Sequence, residues 1–412
     1  MKEENEINNQ PETVAASAER RSFWKSFKGD KVIWRIVIAL SIVSLLAIYS
    51  STGAMAYLKG QTTFGYLIKQ LIFVLASMFV VYVAHNISII WYRRLAKLIF
   101  FTSIILLLLT FVVGVTLNEG SRWLRIPVIG LTFQPADIAK IGLILYIAKV
   151  FEEGGIDSFK QFFWRILTPI AVACVLILWG STSAAILLGF SVFILLFVAG
   201  VRNSYLWKTL GIACAAIAVI VTLGYTTPYF PRIETAVNRV VTYTKGDDNT
   251  EKDKAKVFQS EQSSIAIATG GIIGKGPGNS TQRHVLPHPY SDFVYAIIIE
   301  EYGLVGGFIV LFLYLILLYR AVVIARSCTK IFPALTVLGL MMLTVFQAMI
   351  NMCVAVGIFP VTGQTLPFIS LGGSSLVTMG FAMGIILSIS RATEERDMSK
   401  VAMKAVVEEN QE

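Results

Sequence analysis

Four groups of residues in the 412-residue chain carry side chains whose type and spacing could do chemistry. Ser291-Asp292 precedes an apolar run, with Glu300-Glu301 farther along it. Pro287 and Pro289 forbid helix just upstream, so the spacing predicts a helix starting near Ser291. Asp292 would then lie at the outer water–lipid boundary, in the positive end of the helix dipole. The plain alternative is a first-turn acid behind a Ser291 cap. Asp137 and Lys140 are three apart, share a helix face and can pair, either as a structural lock or as working charges. Gly270-Gly271-Ile272-Ile273-Gly274-Lys275-Gly276-Pro277-Gly278 offers backbone N–H groups beside a lysine, a combination suited to phosphate or diphosphate. A Gly-rich turn is the plainer account, and the nucleotide P-loop spacing is absent. His284 and His288 are four apart, but Pro287 between them opposes the helix a metal pair would need.

These residues must be positioned by elements of an unusual kind. Hydrophobic residues make up 55% of the chain and charged residues 15%, with net charge +9 and mean hydropathy +0.69. Soluble chains carry about 25% charged residues, which excludes a string of soluble domains. Runs of about 20 apolar residues recur, the length that crosses ~30 Å of hydrocarbon. The expected fold is an all-α polytopic membrane protein with ten transmembrane helices, near 32–51, 66–86, 97–117, 134–151, 164–180, 183–200, 206–227, 291–319, 331–356 and 371–391. Charges inside such runs are costly and mark candidate functional sites.

Basic residues set the orientation. Arg20, Arg21, Lys25, Lys28 and Lys31 lead the chain, and Arg391, Arg396, Lys400 and Lys404 trail it. Alternate connections carry Arg93, Arg94 and Lys97, then Lys149, Lys160 and Arg165, then Arg202 and Lys208, then Arg320, Arg326 and Lys330. The positive-inside rule places both ends in the cytoplasm. The divisions expected are a cytoplasmic tail 1–31, spans one to seven over 32–227, one large extracytoplasmic loop 228–290, spans eight to ten over 291–391, and a cytoplasmic tail 392–412. Within the loop, residues 245–256 read as a solvated charged tip, and 262–292 as a segment packed on the membrane face. Residues 19–31 interleave Phe23, Trp24 and Phe27 with basic residues, as an interfacial helix or an ordinary basic flank of span one would. The first 31 residues show no cleavable signal pattern. The four cysteines suggest no disulfide framework. The basic balance suits anionic lipid and does not call for nucleic acid.

Several strings now resemble the SEDS family, the RodA/FtsW-like cell-wall polymerases. Gly120-Ser121-Arg122-Trp123-Leu124 with Gln134-Pro135-Ala136-Asp137-Ile138-Ala139-Lys140 looks like the family's G-x-x-R-W … Q-P-[SA]-E-x-x-K block. Gln262-Ser263 with the glycine stretch through Asn279-Ser280 is similar to its outer-loop block. Leu286-Pro287, Ser291-Asp292-Phe293 and Glu300-Glu301-Tyr302-Gly303 resemble L-P-E-x-x-T-D-F … E-E-x-G. Pro360-Val361-Thr362-Gly363, Leu366-Pro367-Phe368-Ile369-Ser370 and Gly372-Gly373-Ser374-Ser375 resemble the closing block. Gly278-Asn279-Ser280 looks more like the division branch (FtsW) than the elongation branch. His288, Tyr290, Ser291 and Asp137 stand where the family usually has Glu, His, Thr and Glu, and its Q-P-D-x-G-T-A string is not recognisable at Leu178–Ala184.

The resemblance implies a peptidoglycan glycosyltransferase that polymerises lipid II at the outer face of the cytoplasmic (inner) membrane during cell division. It implies Asp292 as the catalytic base. Lys275, Arg122 and Arg239 are expected to meet the diphosphate, and a divalent cation such as Mg2+ could share that load. Lys140 and Glu300 are expected to pair and position span eight, and Ser370 joins the substrate-binding set. A class B penicillin-binding protein transpeptidase is the expected partner, with other divisome membrane proteins. The rivals are a lipid II flippase, with charges lining a path across the membrane, and a non-catalytic scaffold.

Overall fold

The computed structural model describes residues 28–53, 60, 62–117, 120–125, 132–226, 251–286 and 289–409. A helix occupies each of the ten predicted stretches: α1 (Lys31–Ser51), α2 (Thr63–Asn86), α3 (Ile89–Val113), α4 (Pro135–Glu153), α5 (Phe159–Gly180, with a π turn at Phe163–Leu167), α6 (Thr182–Val198), α7 (Asn203–Thr226), α9 (Val294–Ser327), α10 (Ile331–Ala355) and α11 (Gly373–Glu409), while α8 (Glu251–Gly270) lies in the long connection. Seven of the described helices are long and apolar enough to cross a membrane. Three short strands, β1 (Val115–Leu117), β2 (Gly120–Arg125) and β3 (Thr132–Phe133), form an antiparallel sheet in the order β1-β2-β3.

Caps chosen by the sequence set the helix ends. Asp30 accepts from the N–H groups of Val32 and Ile33 at 2.8 and 3.2 Å and starts α1. Ser181 ends α5 by donating its N–H to the Ile177 carbonyl, and its hydroxyl accepts from Ala184 N to start α6. A tight turn at Ser181 thus joins α5 to α6. α3 begins at Ile89 rather than near 97. Arg93, Arg94 and Lys97 ride on its first turns, where Arg93 and Lys97 pair with Glu152 and Glu153 at 2.8 and 2.9 Å.

Lipid supplies no hydrophobic drive between apolar helices, so close backbone approach and polar contacts hold them. α11 carries Gly380 and Gly384 one turn apart, and a Cβ on either would lie within 2.5 Å of Ser77 or Ala84 on α2. Ser77 Oγ donates to the Leu376 carbonyl at 2.8 Å across the same seam.

Polar contacts divide the bundle into two ends. At one, Lys28 meets Glu395 at 3.0 Å, Asp30 meets Arg320 at 2.6 Å, and Arg391 reaches Asn86. Both termini of the described chain gather there. At the other end lie Ser50 closing α1, Asp137 opening α4, Ser183 opening α6, and Asp292 ahead of α9. α9 runs 34 residues from one end to the other, about 51 Å at 1.5 Å per residue.

Of the long connection, residues 245–250 lie outside the described residues, and 251–256 open α8 rather than forming only a charged tip. From 262 onward the connection packs on the bundle: α8 lies along α9, and buried Ser263 donates to the Ala355 carbonyl at 2.7 Å.

Candidate active site

Asp292 sits in a turn, not in a helix. α9 begins at Val294 with Phe293 as its cap residue, so Ser291 does not cap it. Ser291 Oγ instead donates to Asp292 Oδ1 at 2.8 Å. The turn is fastened through three consecutive carbonyls. Tyr290 O accepts from Leu371 N at 2.9 Å, Ser291 O from Ser370 Oγ at 2.6 Å, and Asp292 O from Asn351 Nδ2 at 2.9 Å. Carbonyls ahead of a helix lack helical partners, and here two other segments of the chain supply them. Asp292 as a residue is of intermediate exposure.

Facing it is the 356–372 connection between α10 and α11. Gly363, at φ 68°, passes so close that a Cβ there would lie 3.7 Å from Asp292 Oδ2. This wall is held from two sides. Ser183 Oγ donates to Thr362 O and accepts from Gln364 Nε2, both at 2.9 Å. From α10, Gln347 Nε2 donates to Thr365 O at 3.0 Å and Asn351 Nδ2 to Gln364 O at 2.7 Å. Buried Phe368, at φ 63°, is the one non-glycine residue with positive φ among those described, and Tyr314 donates to the carbonyl just before it. Burial, with Tyr66 and Asp292 nearby, pushes the Tyr290 hydroxyl up to about 12, so it stays protonated at neutral pH.

The glycine stretch does something other than expected. Gly303, at φ 70°, breaks α9, and residues 270–276 dock into the break. Lys275 N and Gly276 N donate to the carbonyls of Glu300 and Glu301 at 3.0 and 2.9 Å, and Leu304 N donates back to Gly271 O at 2.9 Å. A Cβ on Gly303 would lie 2.1 Å from Ile272 O, and one on Gly274 2.3 Å from Glu301 O. Glycine is required because two backbones touch. These N–H groups are therefore spent inside the protein rather than displayed to a diphosphate.

Glu300 does not pair with Lys140, contrary to expectation. Its fully buried carboxylate meets Lys275 Nζ at 2.6 Å and accepts from Thr281 N and Oγ1, Gln282 N and Ser280 Oγ. The glycine fold brings Lys275 over Glu300, and that closer cation wins. Buried Glu301 accepts from Ser50 Oγ. Lys140 pairs with Asp137 at 2.7 Å, as their spacing allowed, and Ser375 Oγ donates to Asp137 at 3.2 Å. The pair borders a cavity of about 40 Å³ with Thr344, Gln347 and Thr378.

The structure thus gathers Asp292 and Ser370 in one framework and Lys275 with Glu300 in another. Ser370 is buried, donating to Ser291 and accepting from Leu366 N at 2.8 Å. Arg122 lies on β2, and Arg239 and His288 lie outside the described residues. Among the described residues no three His, Cys, Asp or Glu side chains form a metal cage. Asn351, Gln347, Gln364 and Ser183 escaped the sequence reading. Gln347 and Asn351 one turn apart in an otherwise apolar helix were the available signal.

A polytopic helical bundle with one fastened, partly exposed aspartate at the end opposite its tails defines a membrane protein built around that turn. The chain belongs to the FtsW/RodA/SpoVE family, described as cell cycle proteins, whose family model matches residues 30–395. The probable peptidoglycan glycosyltransferase FtsW of Geobacter sulfurreducens is 31% identical over 368 residues, covering 88% of this chain and 95% of that one. Stage V sporulation protein E of Bacillus subtilis is 30% identical over 374 residues, covering 89% and 98%. A chain from a peptidoglycan synthase complex that coordinates polymerization and crosslinking superposes with a TM-score of 0.70 at 27% identity, covering 89% and 98%. RodA of Thermus thermophilus shares the fold, with a TM-score of 0.62 at 24% identity, covering 88% and 97%.

Proposed function

We propose that this protein is a peptidoglycan glycosyltransferase of the division type, polymerising lipid II at the outer face of the cytoplasmic membrane. With ten spans and both ends cytoplasmic, the orientation that the positive-inside rule supports, Asp292 would lie on that outer face. The observation that carries the reading is the Asp292 turn: a carboxylate that keeps contact with its surroundings while its backbone is fastened at three carbonyls. Preorganisation of this kind is what general-base catalysis needs.

In the reaction, a sugar hydroxyl attacks the anomeric carbon of the neighbouring lipid-linked sugar. Asp292 takes the hydroxyl proton as the new C–O bond forms. The bond to the diphosphate breaks, and the polyprenyl diphosphate leaves with the electron pair. Arg122, Arg239 and Lys275 are proposed to meet its charge, guanidinium by bidentate contact and ammonium as a point charge. Lys275 would do so while joined to Glu300. A divalent cation would arrive on the diphosphate. A class B penicillin-binding protein is the proposed partner, in keeping with the synthase complex that this fold resembles.

The distribution of charge favours polymerase over flippase. No Asp, Glu, Lys, Arg or His lies between Glu301 and Arg320 on α9, between Lys140 and Lys149 on α4, or anywhere in α10. Charges cluster at the ends and leave the middle of these helices apolar, whereas a transport path needs polar groups through the membrane thickness.

The test is polymerisation of purified lipid II, with and without the transpeptidase, by wild type and Asp292→Asn. A fall of about 10²–10⁴-fold is expected from removing a general base. Near wild-type extension by the variant would overturn the assignment.

A further inference from the structure

Asn351 is fully buried in α10, at 1% exposure, in a helix with no charged residue. Its amide nitrogen donates to two carbonyls, Asp292 O at 2.9 Å and Gln364 O at 2.7 Å. Both partners are acceptors only, which identifies the donating atom as nitrogen. These two bonds join the Asp292 turn to the wall that faces it. Gln364 also donates through its side chain to Ser183 on α6, and Ser183 donates back to Thr362 on the same wall. The distance across the site, from Asp292 to Gly363, is therefore set by an amide on α10 and a hydroxyl on α6. A buried amide in an apolar span is costly unless its bonds are made; both bonds of the Asn351 nitrogen are made here, while its Oδ1 has no partner among the described residues.

We propose that Asn351 is a positioning residue for the Asp292 reaction, seconded by Ser183, and that it fixes the carboxylate against the 362–365 wall between which the acceptor hydroxyl enters. This rests on Asp292 being the base. Without the amide, Asp292 O and Gln364 O lose a shared donor, and turn and wall move independently. Binding of the lipid-linked sugar far from this point is unaffected, whereas proton transfer depends steeply on geometry.

The experiment measures kcat and KM for purified lipid II, the pH profile of kcat, and the thermal unfolding of the detergent-solubilised full chain. Asn351→Ala is expected to lower kcat by about 10- to 100-fold, to shift the acidic limb of the pH profile, and to leave KM within about threefold. Asn351→Gln, which keeps the amide donor, is expected to recover part of the loss. Ser183→Ala is expected to lower kcat several-fold with KM kept, and it decides the matter should Asn351→Ala fail to fold. Asn351→Ala or Ser183→Ala at wild-type kcat, or kcat loss with the pH profile unmoved, overturns the inference. Wild-type activity of Asp292→Asn would instead overturn the base assignment beneath it, a separate and distinguishable result.

Discussion

Asp292 and Glu300 lie on one short stretch of chain, and the fold handles their carboxylates in opposite ways. Glu300 is sealed at 0% exposure, with Lys275, Ser280, Thr281 and Gln282 donating to it. Asp292 is anchored through its main chain and accepts from Ser291 Oγ, and the residue is of intermediate exposure beside Gly363. A sealed, saturated acid stabilises the structure and has no lone pair to offer a substrate. An acid fixed by its backbone can move a proton without losing its place. The contrast is that Asp292 is fastened chiefly at its main chain, with Ser291 Oγ on its carboxylate, whereas Glu300 is fastened through its side chain.

The comparison breaks if the two acids respond alike. Asp292→Asn is expected to cut polymerisation by about 10²–10⁴-fold while thermal unfolding in detergent stays near wild type. Glu300→Ala is expected to do the reverse first: removing one partner of a buried pair costs about 3–5 kcal/mol, read as early unfolding, with activity lost only through the folded fraction. Equal unfolding of the two variants would erase the distinction.

Gly303→Val probes the frame that both acids share. Its Cβ would lie 2.1 Å from Ile272 O at a φ of 70°, where a β-branched residue is strained. The cost is expected to be about 4 kcal/mol, the size reserved for a clash of this kind, and to appear as failure to isolate monodisperse protein. Normal unfolding of the variant would mean that the glycine loop does not dock in the break of α9.

How much of this was legible follows from what each residue answers to. Spans answer to apolar length, so a helix stands at every predicted stretch. Their ends answer to local chemistry, and there the reading slipped: Arg93, Arg94 and Lys97 pair with acids on α4 or snorkel, so charge did not delay the start of α3. Asp292 was legible as an acid out of place in an apolar context, and by resemblance. The Lys140–Glu300 pairing was not, because the partner of Glu300 depends on how the glycine loop folds, a long-range outcome. β1 to β3 and α8 went unread because their segments are short or polar and carry no membrane-length signal. Asn351 and Ser183 went unread because uncharged polar residues in apolar runs do not stand out as acids and bases do.

Lys275 sharpens the comparison from the other side. It is 27% exposed and meets both Glu300 and Thr281, the latter at 3.0 Å. Lys275→Gln keeps a donor and removes the charge. If Lys275 serves the diphosphate, KM for lipid II should rise several-fold while unfolding shifts by about 3–5 kcal/mol, because the buried Glu300 carboxylate loses its cation. If it serves only Glu300, unfolding shifts by the same amount and KM stays put. The double variant Lys275→Met/Glu300→Leu separates the two further, since replacing both members of a buried pair by apolar groups is often near neutral.

The smallest effect belongs to the far end of the bundle. Lys28 and Glu395 pair at 3.0 Å with side chains 59% and 47% exposed. An exposed pair gains little, because water screens the charges and two long side chains must be ordered. Lys28→Ala is expected to change unfolding by less than about 0.5 kcal/mol and polymerisation by less than twofold. The neighbouring Asp30–Arg320 pair, with Asp30 almost wholly buried and also capping α1, is the internal control: Asp30→Ala should destabilise by about 1–2 kcal/mol through the lost cap alone. A large activity loss from Lys28→Ala would mean that the tail end is coupled to Asp292 across the full length of α9, and that the two ends are one working unit rather than an anchor and a site.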